Sequence, residues 1–197
     1  MIKLRINLRD GFYLSSVARS DKAALLEHLK TRAVYDTTMN IPFPYSAADA
    51  DWWLRTRIEH SRKQNKEVTF AIRDAGKLVG VVSADDFAIG TSHRAEIGYW
   101  LAEAYWGQGI TTDAVRAFVK YAFEELQVLR LTAYVLEFNA ASARVLEKNG
   151  FTLEGSLRKH FRKDGQLIDA RLYGLLKGDS LPKAPAKRIG DGALAIK

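Results

Sequence analysis

Between Tyr105 and Asp113 the chain reads Tyr-Trp-Gly-Gln-Gly-Ile-Thr-Thr-Asp, two glycines one residue apart. A strand-like run, His93 to Leu101, precedes them. An amphipathic helix follows, with Val115, Phe118, Val119, Ala122, Phe123 and Leu126 falling on one face. A glycine-rich turn in that place leaves backbone N–H groups unhindered, and the positive end of the helix dipole points at the same spot. The pattern therefore suits a phosphate or diphosphate. The glycines stand before the helix and not after it, where a C-cap would put them. Asp113 falls in the first turn, where a carboxylate is favoured. Glycines that only shape a turn are the alternative reading.

Several phosphate motifs are excluded. No Lys-Ser/Thr follows the glycines, so the Walker pattern fails. Gly107-x-Gly109-x-x-Thr112 lacks the third glycine of the dinucleotide fingerprint. The lysine strand and catalytic loop of a kinase are missing as well. The chain has no cysteine, which removes disulfides, zinc–thiolate sites and a cysteine nucleophile. Its four histidines, His28, His60, His93 and His160, show no metal-ligand spacing, so no metal is expected. At 197 residues, 47% hydrophobic and 27% charged, the chain reads as one globular domain with a sizeable core. The net charge of +7 fits a solvated basic surface and a basic end as well as an anionic ligand. No stripe of interleaved aromatic and basic residues marks a nucleic-acid platform. No apolar run is long enough for a membrane span, and no secretory pattern opens the chain, so the expected location is cytoplasmic.

The elements that must position the turn can be read in order. Gly11 to Val17 predicts a first strand, and Ser20 is expected to cap a helix running to about Thr31. Val34 to Tyr45, with Pro42 and Pro44, reads as a loop. Ser46 caps a second helix that carries Trp52, Trp53 and Ile58. Val68 to Ile72 and Leu78 to Ser83 form a hairpin around Asp74 to Lys77. After the central strand and long helix come a strand at Leu129 to Leu136 and a helix from Asn139, closed by Gly150. Phe151 to Phe161 and Leu167 to Leu175 make a last hairpin around Asp164-Gly165. Residues 1–177 are expected to form the domain, and 178–197 a poorly ordered tail.

Three segments carry a family resemblance: Ala95-Glu-Ile-Gly-Tyr-Trp-Leu101, Trp106-Gly-Gln-Gly-Ile-Thr-Thr-Asp-Ala114, and Asn139-Ala-Ala-Ser-Ala-Arg-Val-Leu-Glu-Lys-Asn-Gly-Phe151. In order and spacing they resemble the GNAT acetyltransferases, most closely the RimJ/RimL type of protein N-acetyltransferase, from about Gly11 to Lys177. The resemblance implies an α/β fold with layered α+β character. Its mixed, mostly antiparallel sheet would have six to seven strands, about four flanking helices and a V-shaped cofactor cleft between two central strands. It also implies acetyl-CoA as co-substrate, and direct transfer to an amine in a ternary complex. Two positions depart from the family pattern: Trp106 stands where Arg or Gln is frequent, and Thr111 where Gly or Ala is usual.

On that resemblance the cofactor contacts are expected from Trp106, Gly107, Gln108, Gly109, Ile110, Thr111 and Thr112 around the diphosphate. Tyr99, Trp100 and Leu101 would lie along the pantetheine arm, with Asn139 and Ser142 across the cleft. Ser142 would donate to the departing thiolate. By residue chemistry alone Asn139 is equally an N-cap, and Ser142 a local hydrogen bonder. Glu96 is the candidate base, because a carboxylate on a central strand is costly unless it has a partner or a task. A salt bridge to Arg94 or Arg130 is the plainer alternative. Trp52, Trp53 and Tyr45 are candidates for the acceptor wall. The expected acceptor is a protein N-terminal α-amine of the ribosomal-protein kind. A small-molecule amine (polyamine, amino acid or aminoglycoside) and a non-catalytic CoA- or nucleic-acid-binding regulatory module stay open, as does a homodimer.

Overall fold

The computed structural model describes residues 4–87, 90 and 92–179. Eight strands form one sheet: β1 (Arg5–Asn7), β2 (Tyr13–Ser16), β3 (Thr69–Asp74), β4 (Lys77–Asp85), β5 (Arg94–Leu101), β6 (Arg130–Leu136), β7 (Thr152–Lys163) and β8 (Gln166–Leu176). They lie in the order β1-β2-β3-β4-β5-β6-β8-β7. Five α-helices pack on it: α1 (Lys22–His28), α2 (Arg32–Thr37), α3 (Ala47–Gln64), α4 (Ile110–Glu124) and α5 (Ala140–Glu147). The sheet is therefore mixed and mostly antiparallel, as the resemblance implies, with one strand and one helix more than expected.

Strand alternation decides which helices go where. Phe70 and Ile72 of β3 face α4, whose buried Val115, Phe118 and Val119 meet them, while Ala71 faces Leu25, Val34 and Leu54 of the first three helices. Phe70 makes edge-on contacts with Phe118 and Tyr121, at 6.0 and 5.0 Å between ring centres. Each such ring taken out of water contributes about 1.5–3 kcal/mol. A bulge opposite Ile72 and Arg73 makes Val79 the extra residue of β4. Val79 and Val82 then point to α4, but Leu78 and Val81 point away from it.

The site is made by a failure of pairing. β5 and β6 are the parallel pair, and their ladder covers only Arg94↔Arg130, Ala95↔Leu131 and Glu96↔Thr132. Beyond Glu96, β5 continues against β4 as far as Leu101, and β6 against β8 as far as Leu136. The two strands thus part into a wedge, and the side of β5 that faces β6 keeps N–H and C=O groups without a ladder partner.

Three features differ from the sequence reading. β1 pairs with β2 through a hairpin at Asp10-Gly11, and its three residues are too few to show a period. The segment read as a loop begins with α2, six residues long with Val34 buried, and Pro42 and Pro44 come only after it. The expected Ser20 cap is absent. Arg19–Asp21 is a single 3₁₀ turn, and the Asp21 carboxylate instead accepts from the Ala18 N–H at 2.8 Å. Asp21 also holds the buried Arg73 guanidinium through both oxygens, at 2.8 and 2.9 Å. Ser46, by contrast, caps α3 as expected, accepting from Asp49 N–H at 3.2 Å. The tail expected from residue 178 lies, from 180 onward, outside the described residues.

Candidate active site

The glycine turn joins the open end of β5 to α4. Gly107 and Gly109 have φ of +77° and +78°, in the left-handed region, and Gly109 is the N-cap of α4 with no side-chain cap above it. The first N–H of the helix to find an intrahelical acceptor is that of Asp113, on the Gly109 carbonyl at 3.2 Å. The N–H groups at the opening of the helix therefore face out without an intrahelical acceptor, as an anion requires. A Cβ on Gly109 would stand 2.2 Å from Nη2 of Arg9, whose Nε is paired with Asp113. Asp113 also meets Arg116 at 3.3 Å. Arg9, on the β1–β2 turn, is a neighbour of the glycines that no local motif announces. The indole Nε1 of Trp106 donates to the Leu101 carbonyl at 2.7 Å, tying the turn to the end of the splayed strand.

Alternation along β5 separates two faces. Ala95, Ile97, Tyr99 and Leu101 look toward α4 and α5, whereas Glu96, Gly98 and Trp100 look toward α3. On the first face the Tyr99 hydroxyl lies 2.9 Å from Ser142 Oγ and 3.2 Å from the Ser142 carbonyl. Burial pushes the Tyr99 phenol well above its ordinary range, so it keeps its proton. Tyr99 thus contributes a side-chain hydroxyl at Ser142, in addition to its expected place along the pantetheine arm. Asn139 caps α5 by accepting from Ser142 N–H at 3.0 Å, and its Nδ2 donates to the Thr37 carbonyl at 3.2 Å. Its side chain is therefore a tie between the end of α2 and the start of α5.

On the second face Glu96 is half-buried, and among the described residues it forms no ion pair. Arg94 is drawn to Asp86 at 3.6 Å and Arg130 to Glu154, so neither takes the salt bridge weighed for them. Desolvation pushes the Glu96 carboxyl above the usual carboxylate range; Asp85 and Asp86 add to this, and Arg94 opposes it. Directly across the ladder is Asp85, the Cα partner of Glu96. Its carboxylate is held by Arg57 of α3 and by Ser83 Oγ at 3.1 Å. Arg57 lies 6.0 Å from the ring of Trp53.

These groups line one cleft of about 950 Å³, running from the glycine turn past the end of β5 to α3. Glu96, Ser142, Asn139, Tyr45, Trp52 and Trp53 all border it. So does every residue expected at the cofactor except Gln108, whose side-chain amide donates instead to the Ala104 carbonyl at 3.2 Å. Trp52 stands 59% exposed at the rim, while Trp53 packs partly into the core under α3. Burial, with Asp49 nearby, pushes the Tyr45 phenol up to about 12. Tyr134 and Phe161 close the opposite wall, with His160 stacked on Tyr134 at 5.0 Å. Phe161 is the one residue that the basic run Arg158 to Lys163, read as a solvated hairpin end, gives to this wall, and Lys163 Nζ beside it donates to the carbonyls of Tyr35 and Thr38. Asp85, Arg57, Tyr134 and Phe161 escaped the sequence reading because each enters the cleft from a different element. The polar alternation Ser83, Asp85 at the end of β4 was the one available signal. No group of three or more His, Cys, Asp or Glu that could hold a metal occurs among the described residues. Nor is any helix there long and apolar enough to cross a membrane.

Comparison with known proteins agrees with this geometry. The family model described as the acetyltransferase (GNAT) domain matches residues 12–152. A Bacillus subtilis protein named "Probable N-acetyltransferase YjcK" is 39% identical over 126 residues, 63% of this chain and 70% of its own length. The Escherichia coli ribosomal-protein-serine acetyltransferase is 33% identical over 171 residues, 85% of this chain and 94% of its own. Among solved structures, RimL, the ribosomal L7/L12 α-N-protein acetyltransferase in complex with coenzyme A, superposes with a TM-score of 0.78. It is 24% identical, with 88% of this chain and 98% of that one covered, and so supports the fold.

Proposed function

The chain belongs to the GNAT acetyltransferase family, and from that premise we propose that it transfers the acetyl group of acetyl-CoA to a primary amine by direct attack within a ternary complex. The observation that carries this reading is the continuity of the cleft. An uncapped helix N-terminus with two left-handed glycines stands at one end, the unpaired edge of β5 in the middle, and a half-buried carboxylate at the other.

The residues divide the work as follows. Backbone N–H groups at Gly107, Gly109, Ile110, Thr111 and Thr112 hold the diphosphate, with the dipole of α4 behind them. Unpaired N–H groups of β5 near Tyr99 to Leu101 hold the pantetheine arm and polarise the thioester carbonyl, a kind of donor worth about 3 kcal/mol in the transition state. Glu96, raised toward neutrality, accepts a proton from the acceptor ammonium, because only the free amine attacks. Ser142 donates a hydrogen bond to the departing thiolate, which takes up the proton shed by the newly acylated nitrogen, and its hydroxyl is oriented by Tyr99. Trp52, Trp53 and Tyr45 form the acceptor wall.

The preferred acceptor is a protein N-terminal α-amine, supported by the likeness to the ribosomal-protein-serine acetyltransferase along most of both chains. An acceptor of that kind is made in the cytoplasm, where this reading places the enzyme. Thiol release from acetyl-CoA, measured with a panel of N-terminal peptides, polyamines, amino acids and aminoglycosides, tests the reading. Acetyl-CoA-dependent turnover with peptides is expected. Turnover with small amines alone would move the acceptor class, and failure of the folded protein to bind CoA by calorimetry would remove the enzyme assignment.

A further inference from the structure

The pair of Asp85 and Glu96 is an arrangement that a sheet ordinarily avoids. Like charges placed directly opposite on neighbouring strands destabilise the pairing. Here both residues are on the face toward α3, at the last paired position of β4 and beside the mouth of the wedge. The space for the second carboxylate comes from Gly98: a Cβ there would stand 2.9 Å from Asp85 Oδ2 and 3.6 Å from Ser83 Oγ. Two donors fix Asp85, Arg57 on Oδ1 and Ser83 on Oδ2, so its carboxylate is oriented. Arg57 in turn is braced across the ring of Trp53.

We propose that the Arg57–Asp85 pair is a positioning device for the Glu96 carboxylate, Asp85 setting a second negative charge against it across the strand pair and Arg57 limiting the effect of that charge. This rests on the reading of Glu96 as the base that receives the acceptor's proton. Among the described residues the charged groups facing Glu96 are few. Asp85 comes from β4, Asp86 from the turn after it, Arg94 from β5 itself, and Arg57 from α3 by way of Asp85. From β6 it meets Thr132 across the ladder, with the Tyr134 phenol two residues further on. Desolvation is the largest influence on Glu96 and is common to any buried carboxylate; Asp85 is the part that a substitution can switch off without moving Glu96. Arg57 lowers the cost of having two carboxylates in one place, and without Asp85 it would itself be an unopposed cation near the base.

The two substitutions act in opposite directions, which a merely structural tie between α3 and β4 does not. Asp85→Asn keeps the shape and the Ser83 and Arg57 contacts but removes the charge. Arg57→Gln removes the counter-charge. The direct measurement is the side-chain carboxyl resonance of ¹³C-labelled glutamate at position 96, assigned by its loss in Glu96→Gln and followed across pH in the whole chain. We expect the titration to move to lower pH in Asp85→Asn and to higher pH in Arg57→Gln, with the acid limb of kcat/KM moving the same way. In Asp85→Asn, kcat/KM one unit below the wild-type midpoint, taken relative to its own plateau, should rise by about twofold or more. A resonance that titrates at the wild-type pH in Asp85→Asn, or that moves the same way in both variants, overturns the inference. A resonance that moves while the kinetic limb stays put supports the coupling and instead removes Glu96 as the base. The two failures are therefore distinguishable.

Discussion

Replacing Gly109 by alanine tests the anion site at its most constrained point. The residue caps α4 at φ +78°, and an L side chain there costs about 1–2 kcal/mol. The added methyl also falls 2.2 Å from Nη2 of Arg9. That atom ends a flexible side chain, so Arg9 swings aside and gives up its ion pair with Asp113. At this half-exposed position the pair is worth about 0.2–1 kcal/mol. The sum is about 1–3 kcal/mol, and it has two places to appear. If the loop keeps its shape, the loss shows in unfolding free energy. If the loop relaxes in the free protein, the loss shows when CoA forces it back, as about 5- to 150-fold weaker binding. Denaturant unfolding and calorimetric titration of CoA on the same samples should together recover the sum. Compared with Arg9→Ala alone, the double variant Arg9→Ala with Gly109→Ala should then show only the backbone part. If both measurements on Gly109→Ala change by less than about 0.5 kcal/mol, the left-handed cap at Gly109 is refuted.

Glu96→Gln should lower turnover about tenfold or more near neutral pH; unchanged turnover would free Glu96 from the mechanism. The same variant should be more stable than wild type at neutral pH. A carboxyl raised in the folded state binds its proton more tightly there, so wild-type stability is full below the unfolded-state pKa and falls as pH rises through the folded one. The gain in Tm should vanish in acid, and a gain that is constant with pH would contradict the shift. Ser142→Ala should reduce kcat more than it raises KM for acetyl-CoA, and Tyr99→Phe should do so more weakly, since it removes only the hydroxyl 2.9 Å from Ser142 Oγ. A pure KM effect in steady-state kinetics would confine both to binding. Asp21→Ala should cost about 3 kcal/mol in chemical denaturation by leaving Arg73 buried without its carboxylate; a loss below 1 kcal/mol would mean that Ser15, Ser16 and Gly76 satisfy the guanidinium by themselves.

Local pattern determined a good deal of this protein. The spacing of Val115, Phe118, Val119 and Ala122 is enough to make α4 and turn its apolar face inward, because a helix repeats every 3.6 residues whatever it packs on. Gly107 and Gly109 require the turn before it, and Ser46 and Asn139 start their helices with their own side chains. The period-two alternation of β5 placed Glu96 opposite Tyr99 before any partner strand was known. Tertiary structure decided which groups meet. Asp85 reaches Glu96 through the antiparallel register of β4 on β5, 11 positions apart along the chain. Arg57 joins them from a helix 28 positions from Asp85, and Tyr99 finds Ser142 across 43. Arg9 comes to Gly109 from the first hairpin. The wedge itself belongs to neither strand, since it is the place where two ladders, each satisfied on its far side, stop pairing with one another. Propensity and periodicity act within a few residues of one segment, whereas register, separation and charge neighbourhood are properties of pairs of segments and exist only once the chain has closed on itself.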